Sequence, residues 1–173
     1  MWWNKSSGSM EKKPALDKEQ ALRRLTALCA KSEHCCHDLR QKMWQWGLSD
    51  GQQQEVIDYL ESHDFVNDRR YAMAFAKDKM RYDKWGPRKI EQALMAKGIG
   101  VELRKEALVQ FDDEEFADIL RPLIENKRKS LATSDPRQRQ QKIMQYALGR
   151  GFTYGIIKLC METLDDSFDE DDV

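Results

Sequence analysis

The chain has 173 residues, of which 34% are charged and 40% are hydrophobic, and its formal net charge is −1. No run approaches the ~20 apolar residues that span a membrane as a helix, and the N-terminal MWWNKSSGSM lacks the apolar core of a secretory signal. We therefore expect a cytoplasmic protein without membrane contact, whose four cysteines are reduced thiols.

The composition favours helix, because Gly and Pro are sparse and good helix formers such as Ala, Leu, Lys, Glu and Gln are abundant. No alternating run of β-branched residues is long enough to predict a strand. After a leader over residues 1–14, which we expect to be disordered, the first predicted helix covers residues 16–31. Its apolar positions, among them Ala21, Leu25 and Cys29, share one face.

The next elements in the chain carry helix start and stop signals. Asn67 or Asp68 can accept a hydrogen bond from the free N–H groups at the start of a helix. Pro87 suits the first position of the following helix, since its missing N–H costs nothing there. Pro122 lies within EEFADILRPLIENKRKS and is expected to kink or shorten that helix, and Asp135–Pro136 predicts a further helix start.

An internal repeat organises these elements. Gly47, Gly98 and Gly151 each follow an apolar helical run and precede another apolar residue, as expected where a helix ends in a left-handed glycine. They lie 51 and 53 residues apart, and apolar residues recur at offsets −8, −4, +1, +9, +10 and +13 from each glycine. The aligned columns are Leu39, Ile90 and Ile143; Met43, Leu94 and Ala147; Leu48, Ile99 and Phe152; Val56, Ala107 and Cys160; Ile57, Leu108 and Met161; and Leu60, Phe111 and Leu164.

The repeat predicts an all-α protein of three tandem three-helix units. The boundaries we assign are residues 15–63, 64–112 and 113–164, followed by an acidic tail over 165–173. The tail holds six acids and no base, and we expect it to be disordered. The remaining 164 residues carry 29 bases against 24 acids, and residues 68–105 alone carry eleven bases against five acids. A basic middle of this kind indicates contact with a polyanion or an acidic surface.

Little in the chain resembles an active site. The cluster EHCCH at 33–37 is the one metal-like group, but its neighbouring cysteines point about 100° apart on a helix and no second pair completes a zinc site. Phosphate-binding and hydrolase motifs are absent from the sequence. We therefore predict no catalytic residues, no metal and no cofactor, and we expect a protein that is not an enzyme.

The basic helix at 68–82 carries the best candidate for a binding surface. On a helical projection Tyr71, Ala72, Phe75 and Tyr82 gather on one side, while Arg70, Ala74, Lys77 and Arg81 gather on the other. Ordinary solvation of a helix explains such a face as well as binding of phosphates or carboxylates does. Arginine favours the second interpretation, since guanidinium makes paired bonds to either group.

The stretch HDFVNDRRYAMAFAKDKMRYDKWGPRKIEQALMAKGI (63–99) resembles the central motif of the RecX regulatory proteins. The resemblance rests on an Asn/Asp turn, the Arg-Arg-Tyr-Ala run with Phe75 and Arg81, Gly86–Pro87, and Lys97–Gly98–Ile99. The flanking repeats match more weakly but in the right order, so the resemblance covers about residues 16–164. The leader, the longer 130–136 loop and the acidic tail depart from it.

The resemblance implies three tandem three-helix repeats in an elongated, curved arrangement and a regulator of the RecA recombinase. Such proteins lie in the groove of the RecA–DNA filament and inhibit its ATPase, strand-exchange and coprotease activities, modulating recombinational DNA repair and the SOS response; contact with DNA is a further expectation. We expect a monomer. The partner-binding residues that we predict are Arg70, Lys77, Arg81, Arg88 and Lys89.

Two alternatives remain open at this stage. A generic nucleic-acid-binding helical protein would bind DNA or RNA without a recombinase, and its affinity would fall steeply with salt. A structural scaffold for an unrelated partner would show neither DNA binding nor an effect on the filament.

Overall fold

The computed structural model describes residues 16–132 and 135–166, the last four of these by their backbone alone. The predicted leader and the tail beyond residue 166 lie outside the described residues. The described residues form nine helices and no strand, which confirms the all-α prediction. The helices are α1 Lys18–Cys29, α2 Cys36–Gln45, α3 Asp50–Ser62, α4 Asp68–Arg81, α5 Pro87–Ala96, α6 Val101–Val109, α7 Asp113–Ser130, α8 Pro136–Gly149 and α9 Tyr154–Asp166.

The helices divide into two compact units, each with its own apolar core. The first unit holds the described residues up to Ser32 together with Cys36–Val66, and therefore α1–α3. The second holds Glu33–Cys35 and the described residues from Asn67 onwards, and therefore α4–α9. Repeat boundaries at 63/64 and 112/113 stay a prediction.

The three glycine-centred turns form as the repeat predicts. Gly47, Gly98 and Gly151 have φ values of 82°, 71° and 88°, in the left-handed region that suits glycine. In each turn the residue after the glycine donates its N–H to the carbonyl five residues earlier, for example Ile99 to Leu94 at 3.1 Å. This hydrogen bond closes the helix end as a Schellman motif.

Most of the aligned apolar columns lie in the two cores. The residues at −8, −4 and +1 from each glycine are all buried, as are Val56, Ala107 and Cys160 at +9. The columns at +10 and +13 are less uniform, since Leu108, Phe111 and Met161 are only partly buried. The predicted α1 face is confirmed for Ala21 and Leu25, which are buried, whereas Cys29 is half-buried against the core.

The helix start signals are confirmed, but the effect of Pro122 is not. The Asn67 side chain accepts from the Arg70 N–H at 3.0 Å, and Pro87 and Pro136 begin α5 and α8. The prediction was that Pro122 kinks or shortens its helix. The shortening is wrong, because the 18-residue helix α7 continues past Pro122 to Ser130, and the kink stays a prediction. A reciprocal capping box holds its start, and four buried residues (Phe116, Ala117, Leu120 and Ile124) anchor it on both sides of the proline. Packing on both sides offsets the single backbone hydrogen bond that a proline removes.

Two further findings concern the described helices. Helix α9 runs to Asp166, so the first two residues of the predicted tail are helical. Of the helices in the described ranges, none combines the length and the apolar character that crossing a membrane requires.

Candidate partner-binding surface

Helix α4 exposes its basic residues because its buried residues lie along another side of the helix. Ala72, Ala76 and Met80, spaced four residues apart, are buried, while Tyr71 and Phe75 lie half-buried on one flank with ring centroids 5.7 Å apart. The prediction that Tyr82 joins the apolar side is wrong, since it is 80% exposed. Tyr82 is the C-cap residue, and the last buried position of the helix is taken by Met80.

Several cations of this helix already have partners within the second unit. The Arg70 Nε lies 2.5 Å from Glu33 Oε1, and the Arg69 Nε lies 3.2 Å from Glu106 Oε2. Lys79 pairs with Asp83 at 2.5 Å. These contacts neutralise much of the positive charge that the sequence places on α4. Arg70 therefore lies on the predicted face, but its side chain is engaged in an ion pair.

Lys77 and Arg81 differ from their neighbours. Both are exposed, and they stand four residues apart on the outward face of α4. Within the described residues neither of them has an acidic side chain within 4.0 Å. They are the part of the predicted face whose charge is left for a partner.

Arg88 and Lys89 lie in the first turn of α5. Arg88 is exposed, and Lys89 is half-buried with its Nζ 4.6 Å from the ring centroid of Trp85. The Nζ of Lys79 lies 4.9 Å from the same ring. Trp85 thus holds a lysine of α4 and a lysine of α5 by cation–π contacts. Trp85 is itself partly buried against the core of the second unit.

The start of α5 is fixed by the turn between α8 and α9. The Gly86 N–H donates to the Arg150 carbonyl at 2.8 Å, and the Arg88 N–H donates to the Gly151 carbonyl at 3.0 Å. Two donors at the start of α5, which lack a partner inside their own helix, are thereby satisfied. The Arg150 guanidinium also donates to the carbonyls of Asp83 and Lys84, at 3.3 and 3.4 Å.

This junction requires two glycines. A Cβ on Gly86 would stand 2.3 Å from the Gly151 carbonyl carbon, and a Cβ on Gly151 would stand 2.5 Å from the Lys89 nitrogen. The sequence shows both glycines and their turn signals. It does not show that two turns 65 residues apart in the chain press their backbones together, because no local signal marks this contact.

A groove of about 420 Å³ opens beside the junction. Arg88, Lys89 and Gln92 line one side, and Tyr154, which is 61% exposed, stands at the start of α9. The remaining lining residues are Leu148, Gly149, Gly151 and Phe152. The lining therefore contains two cations and no acid. Arg88 and Lys89 are brought together here, whereas Lys77 and Arg81 stay on the outward face of α4.

The four cysteines lie at buried or half-buried positions. Cys35 is buried in the core of the second unit, and the Cys36 Sγ lies 3.5 Å from Glu61 Oε1 in the first. Burial raises the pKa of the Cys160 thiol to about 11, and its Sγ lies 3.6 Å from the Ala117 carbonyl oxygen. In the ranges that the structure covers, no three His, Cys, Asp or Glu side chains form a group suited to a metal.

Two family models match parts of the chain. The model described as the second three-helix domain of RecX matches residues 67–108, and that of the third three-helix domain matches residues 113–161.

Curated relatives carry the same name. The regulatory protein RecX of Lactococcus lactis subsp. lactis (strain IL1403) is 32% identical over 119 residues, which are 68% of this chain and 44% of that protein. The RecX of Clostridium botulinum (strain Eklund 17B / Type B) is 30% identical over 122 residues, covering 69% and 57%. The chain spans about half the length of the curated relatives it matches.

Solved structures agree on the fold. The crystal structure of RecX from Lactobacillus salivarius superposes with a TM-score of 0.79 at 24% identity, covering 86% of this chain and 96% of that one. A second crystal structure, of a regulatory protein RecX, gives a TM-score of 0.78 at 22% identity and covers 84% and 73%. At these identities the likeness concerns the fold alone.

Proposed function

The chain belongs to the RecX family of regulatory proteins, and from this premise we propose that it binds the RecA recombinase filament and inhibits it. The activities it lowers are DNA-dependent ATP hydrolysis, strand exchange and coprotease activity, and through them recombinational DNA repair and the SOS response. It acts as a monomeric, non-catalytic protein of the cytoplasm and needs no cofactor. Its four cysteines, none of them in a disulfide, suit a reducing compartment.

The observation that carries the proposed surface is the pair of uncompensated cations on α4. Lys77 and Arg81 are exposed and, in the described part of the chain, have no acidic partner. A partner carboxylate or phosphate meeting them gains a charge-assisted hydrogen bond without first breaking an internal ion pair. Arg88 and Lys89 form a second cationic group in the first turn of α5, where Lys89 is held against Trp85.

Arg70 has a different role within this surface. Its guanidinium is tied to Glu33, so it positions the segment before α2 against α4. We expect Arg70→Glu to act mainly through the loss of this pair, with two like charges facing each other. Reversal of Lys77 and Arg81 acts on the partner instead.

The test is DNA-dependent ATP hydrolysis by the cognate RecA filament, with this protein added below stoichiometry. We expect strong inhibition by the unaltered chain. The double variant Lys77→Glu/Arg81→Glu should need at least about tenfold more protein for the same inhibition, since each lost charge-assisted bond contributes about 1–2 kcal/mol.

The matched control reverses two exposed cations elsewhere in the second unit. Lys105 and Lys158 are both exposed and pair only with neighbours on their own helices, Glu102 and Glu162. Lys105→Glu/Lys158→Glu changes the net charge by the same amount and should inhibit like the unaltered chain. Equal inhibition by the α4 double variant and the control, with unchanged helical circular dichroism, would remove the α4 surface from the proposal. Absence of inhibition by the unaltered chain at equimolar protein would remove the RecA proposal itself.

Direct nucleic-acid binding is the second candidate, and the exposed Tyr82 favours it. This ring directly follows Arg81 and is 80% exposed, so a base can stack on it beside a phosphate contact. The candidate predicts binding of labelled single-stranded DNA without RecA, weakening steeply as salt rises. A lack of binding at low salt, or an affinity indifferent to salt, would exclude it.

A further inference from the structure

The groove beside the junction of Gly86 and Gly151 has the size of a ligand pocket. Its volume is about 420 Å³, and pockets that bind small ligands commonly measure roughly 300–1,000 Å³. The described residues that line it belong to α5, to the end of α8, to the turn after α8 and to the first position of α9, all within the second unit. Its walls are held together, because the N–H groups of Gly86 and Arg88 donate to carbonyls of that turn.

The groove carries positive charge that no neighbouring acid neutralises. Its described lining contains Arg88 and Lys89 and no carboxylate. Glu91 is the only acid of α5, and its Oε1 lies 3.9 Å from the Nε of Arg104 instead. In the part of the chain that the structure describes, no acidic side chain lies within 4.0 Å of Arg88 or Lys89. An anion that enters the groove therefore meets an arginine without first breaking an ion pair.

Arg88 and Gln92 present two kinds of polar group on one face of α5. They stand four residues apart, which places their side chains next to each other on a helix, and both are exposed and line the groove. A guanidinium group binds phosphate through paired hydrogen bonds. A glutamine amide both donates and accepts, so it can bind a group that offers donors and acceptors together, such as the edge of a nucleobase.

Tyr154 adds an aromatic ring to the groove from the start of α9. The residue is 61% exposed, so burial in the core does not account for its position. Gly149 leaves the α8 side of the groove open, because even a Cβ at this position would meet nothing within 4 Å. An exposed tyrosine ring next to a cationic groove suits a base that stacks while its phosphate meets the cation.

An acidic peptide is the other ligand that the two cations would attract. A peptide carboxylate would meet Arg88 equally well, but it has no planar ring to stack on Tyr154 and no base edge for Gln92. The combination of cation, amide and exposed ring in one groove therefore favours a nucleotide.

We propose that this groove binds one nucleotide, with its phosphate on Arg88 and its base stacked on Tyr154. Gln92 hydrogen-bonds the base, and Lys89 adds positive charge from the same turn of α5. The nucleotide is a free nucleoside phosphate or one unit of a single strand, since both present the same phosphate and base. Binding needs no recombinase, so this site goes beyond the proposed inhibition of the filament.

The test is NMR of the full chain labelled with ¹⁵N at glycine and titrated with adenosine monophosphate. The amide resonances of Gly149 and Gly151, which line the groove, should move, while those of Gly51 and Gly100, which do not, should stay in place. Adenosine and inorganic phosphate should each bind at least about fivefold more weakly than adenosine monophosphate, because each lacks one of the two contacts.

Substitutions at the two contact residues separate the base from the phosphate. Tyr154→Ala should weaken binding of adenosine monophosphate at least about fivefold and leave that of inorganic phosphate unchanged, whereas Tyr154→Phe should retain both. Arg88→Gln should weaken both. This variant keeps the hydrogen bond from residue 88 to the Gly151 carbonyl, because that bond uses the backbone N–H.

The matched controls remove the same side chains outside the groove. Tyr59 is 41% exposed and Arg137 is exposed, and neither lines the groove. Tyr59→Ala and Arg137→Gln should bind adenosine monophosphate like the unaltered chain.

A short oligodeoxyadenylate with a terminal phosphate distinguishes the two sources of the nucleotide. Tighter binding of the oligomer than of adenosine monophosphate, with the same loss in Tyr154→Ala, would identify a strand as the ligand. Equal or weaker binding of the oligomer would identify the free nucleotide.

Three outcomes would overturn the proposal. The first is that neither probe moves Gly149 and Gly151 at millimolar concentration. The second is that Tyr154→Ala binds adenosine monophosphate as tightly as the unaltered chain does. The third is that polyglutamate binds the groove more tightly than either probe, since the ligand would then be an acidic peptide. None of these results bears on RecA inhibition, which is measured separately by ATP hydrolysis.

Discussion

The turns at Gly98 and Gly151 share one backbone geometry and have opposite surroundings. Both glycines are left-handed and both turns close with the same hydrogen bond, yet Gly98 is exposed whereas Gly151 is buried beneath the start of α5. The repeat therefore specifies the geometry of the turn. Whether the turn also packs against another part of the chain depends on the segment beside it. Gly86 makes the contact possible, because it has no Cβ to keep the two backbones apart.

The turn at Gly47 shows a third arrangement within the first unit. Its Trp46 carbonyl accepts the Leu16 N–H at 3.0 Å, at the position where the Arg150 carbonyl accepts the Gly86 N–H at 2.8 Å. In both turns, the carbonyl of the residue before the glycine accepts a hydrogen bond from another segment of the chain. The turn at Gly151 has one more hydrogen bond of this kind. The carbonyl of Gly151 itself accepts the Arg88 N–H.

The largest difference in stability between the two turns is expected when each glycine is replaced by alanine. Gly151→Ala combines a left-handed alanine, costing about 1–2 kcal/mol, with a Cβ pressed against Lys89, costing about 1–3 kcal/mol. Gly98→Ala carries the first cost alone, because Gly98 is exposed. Denaturant unfolding followed by circular dichroism should place Gly151→Ala well below Gly98→Ala. Equal losses would show that the backbone contact contributes nothing to stability.

Alanine at Gly86 isolates the contact from the left-handed backbone. Gly86 has φ −79°, which any residue adopts, so Gly86→Ala is opposed only by the overlap with Gly151. We expect a loss of about 2 kcal/mol in the free energy of unfolding. The same denaturation measurement applies, and an unchanged midpoint would contradict the packing of the two turns.

Gly149→Ala provides the matched control two residues away. It is the last residue of α8, and a Cβ there meets nothing within 4 Å. Alanine should raise the free energy of unfolding by about 0.5 kcal/mol, because glycine loses more conformational freedom in a helix. A marked loss of stability in this variant would mean that the region tolerates no substitution. Losses at Gly86 and Gly151 could then not be attributed to the contact between the two turns.

A pH-dependent effect is expected at the residue nine positions after each glycine, which is Ala107 in the second repeat and Cys160 in the third. The pKa of buried Cys160 is raised to about 11 from an ordinary value of 9.0. A raised pKa means that the stability which the protonated thiol contributes is present below pH 9 and is lost as pH rises through 11. The advantage of the unaltered chain over Cys160→Ala should therefore shrink between pH 9 and 11 in denaturant unfolding. A constant difference across that interval would contradict it.

Much of the fold was predictable because it depends on local signals. Asn67, Pro87 and Pro136 mark helix starts, and the spacing of apolar residues around the three glycines identifies the buried faces. Pro122 does not shorten α7, because buried residues pack on both sides of it, and a single helix sequence does not reveal that packing. Tyr82 was misplaced because the projection continued α4 by one residue beyond its end.

The helical character of the chain, the repetition of its three turns and the concentration of positive charge in the second repeat all follow from the amino-acid sequence. Composition and short-range periodicity are enough for these, because helix caps and amphipathic faces act over a few residues. The packing of the helices determines which cations pair with Glu33, Glu106 and Asp83. It also leaves Lys77 and Arg81 without an acidic partner among the described residues. It also brought Gly86 against Gly151. Ion pairs and backbone contacts between distant segments depend on how helices pack, and that information is absent from any one stretch of the chain.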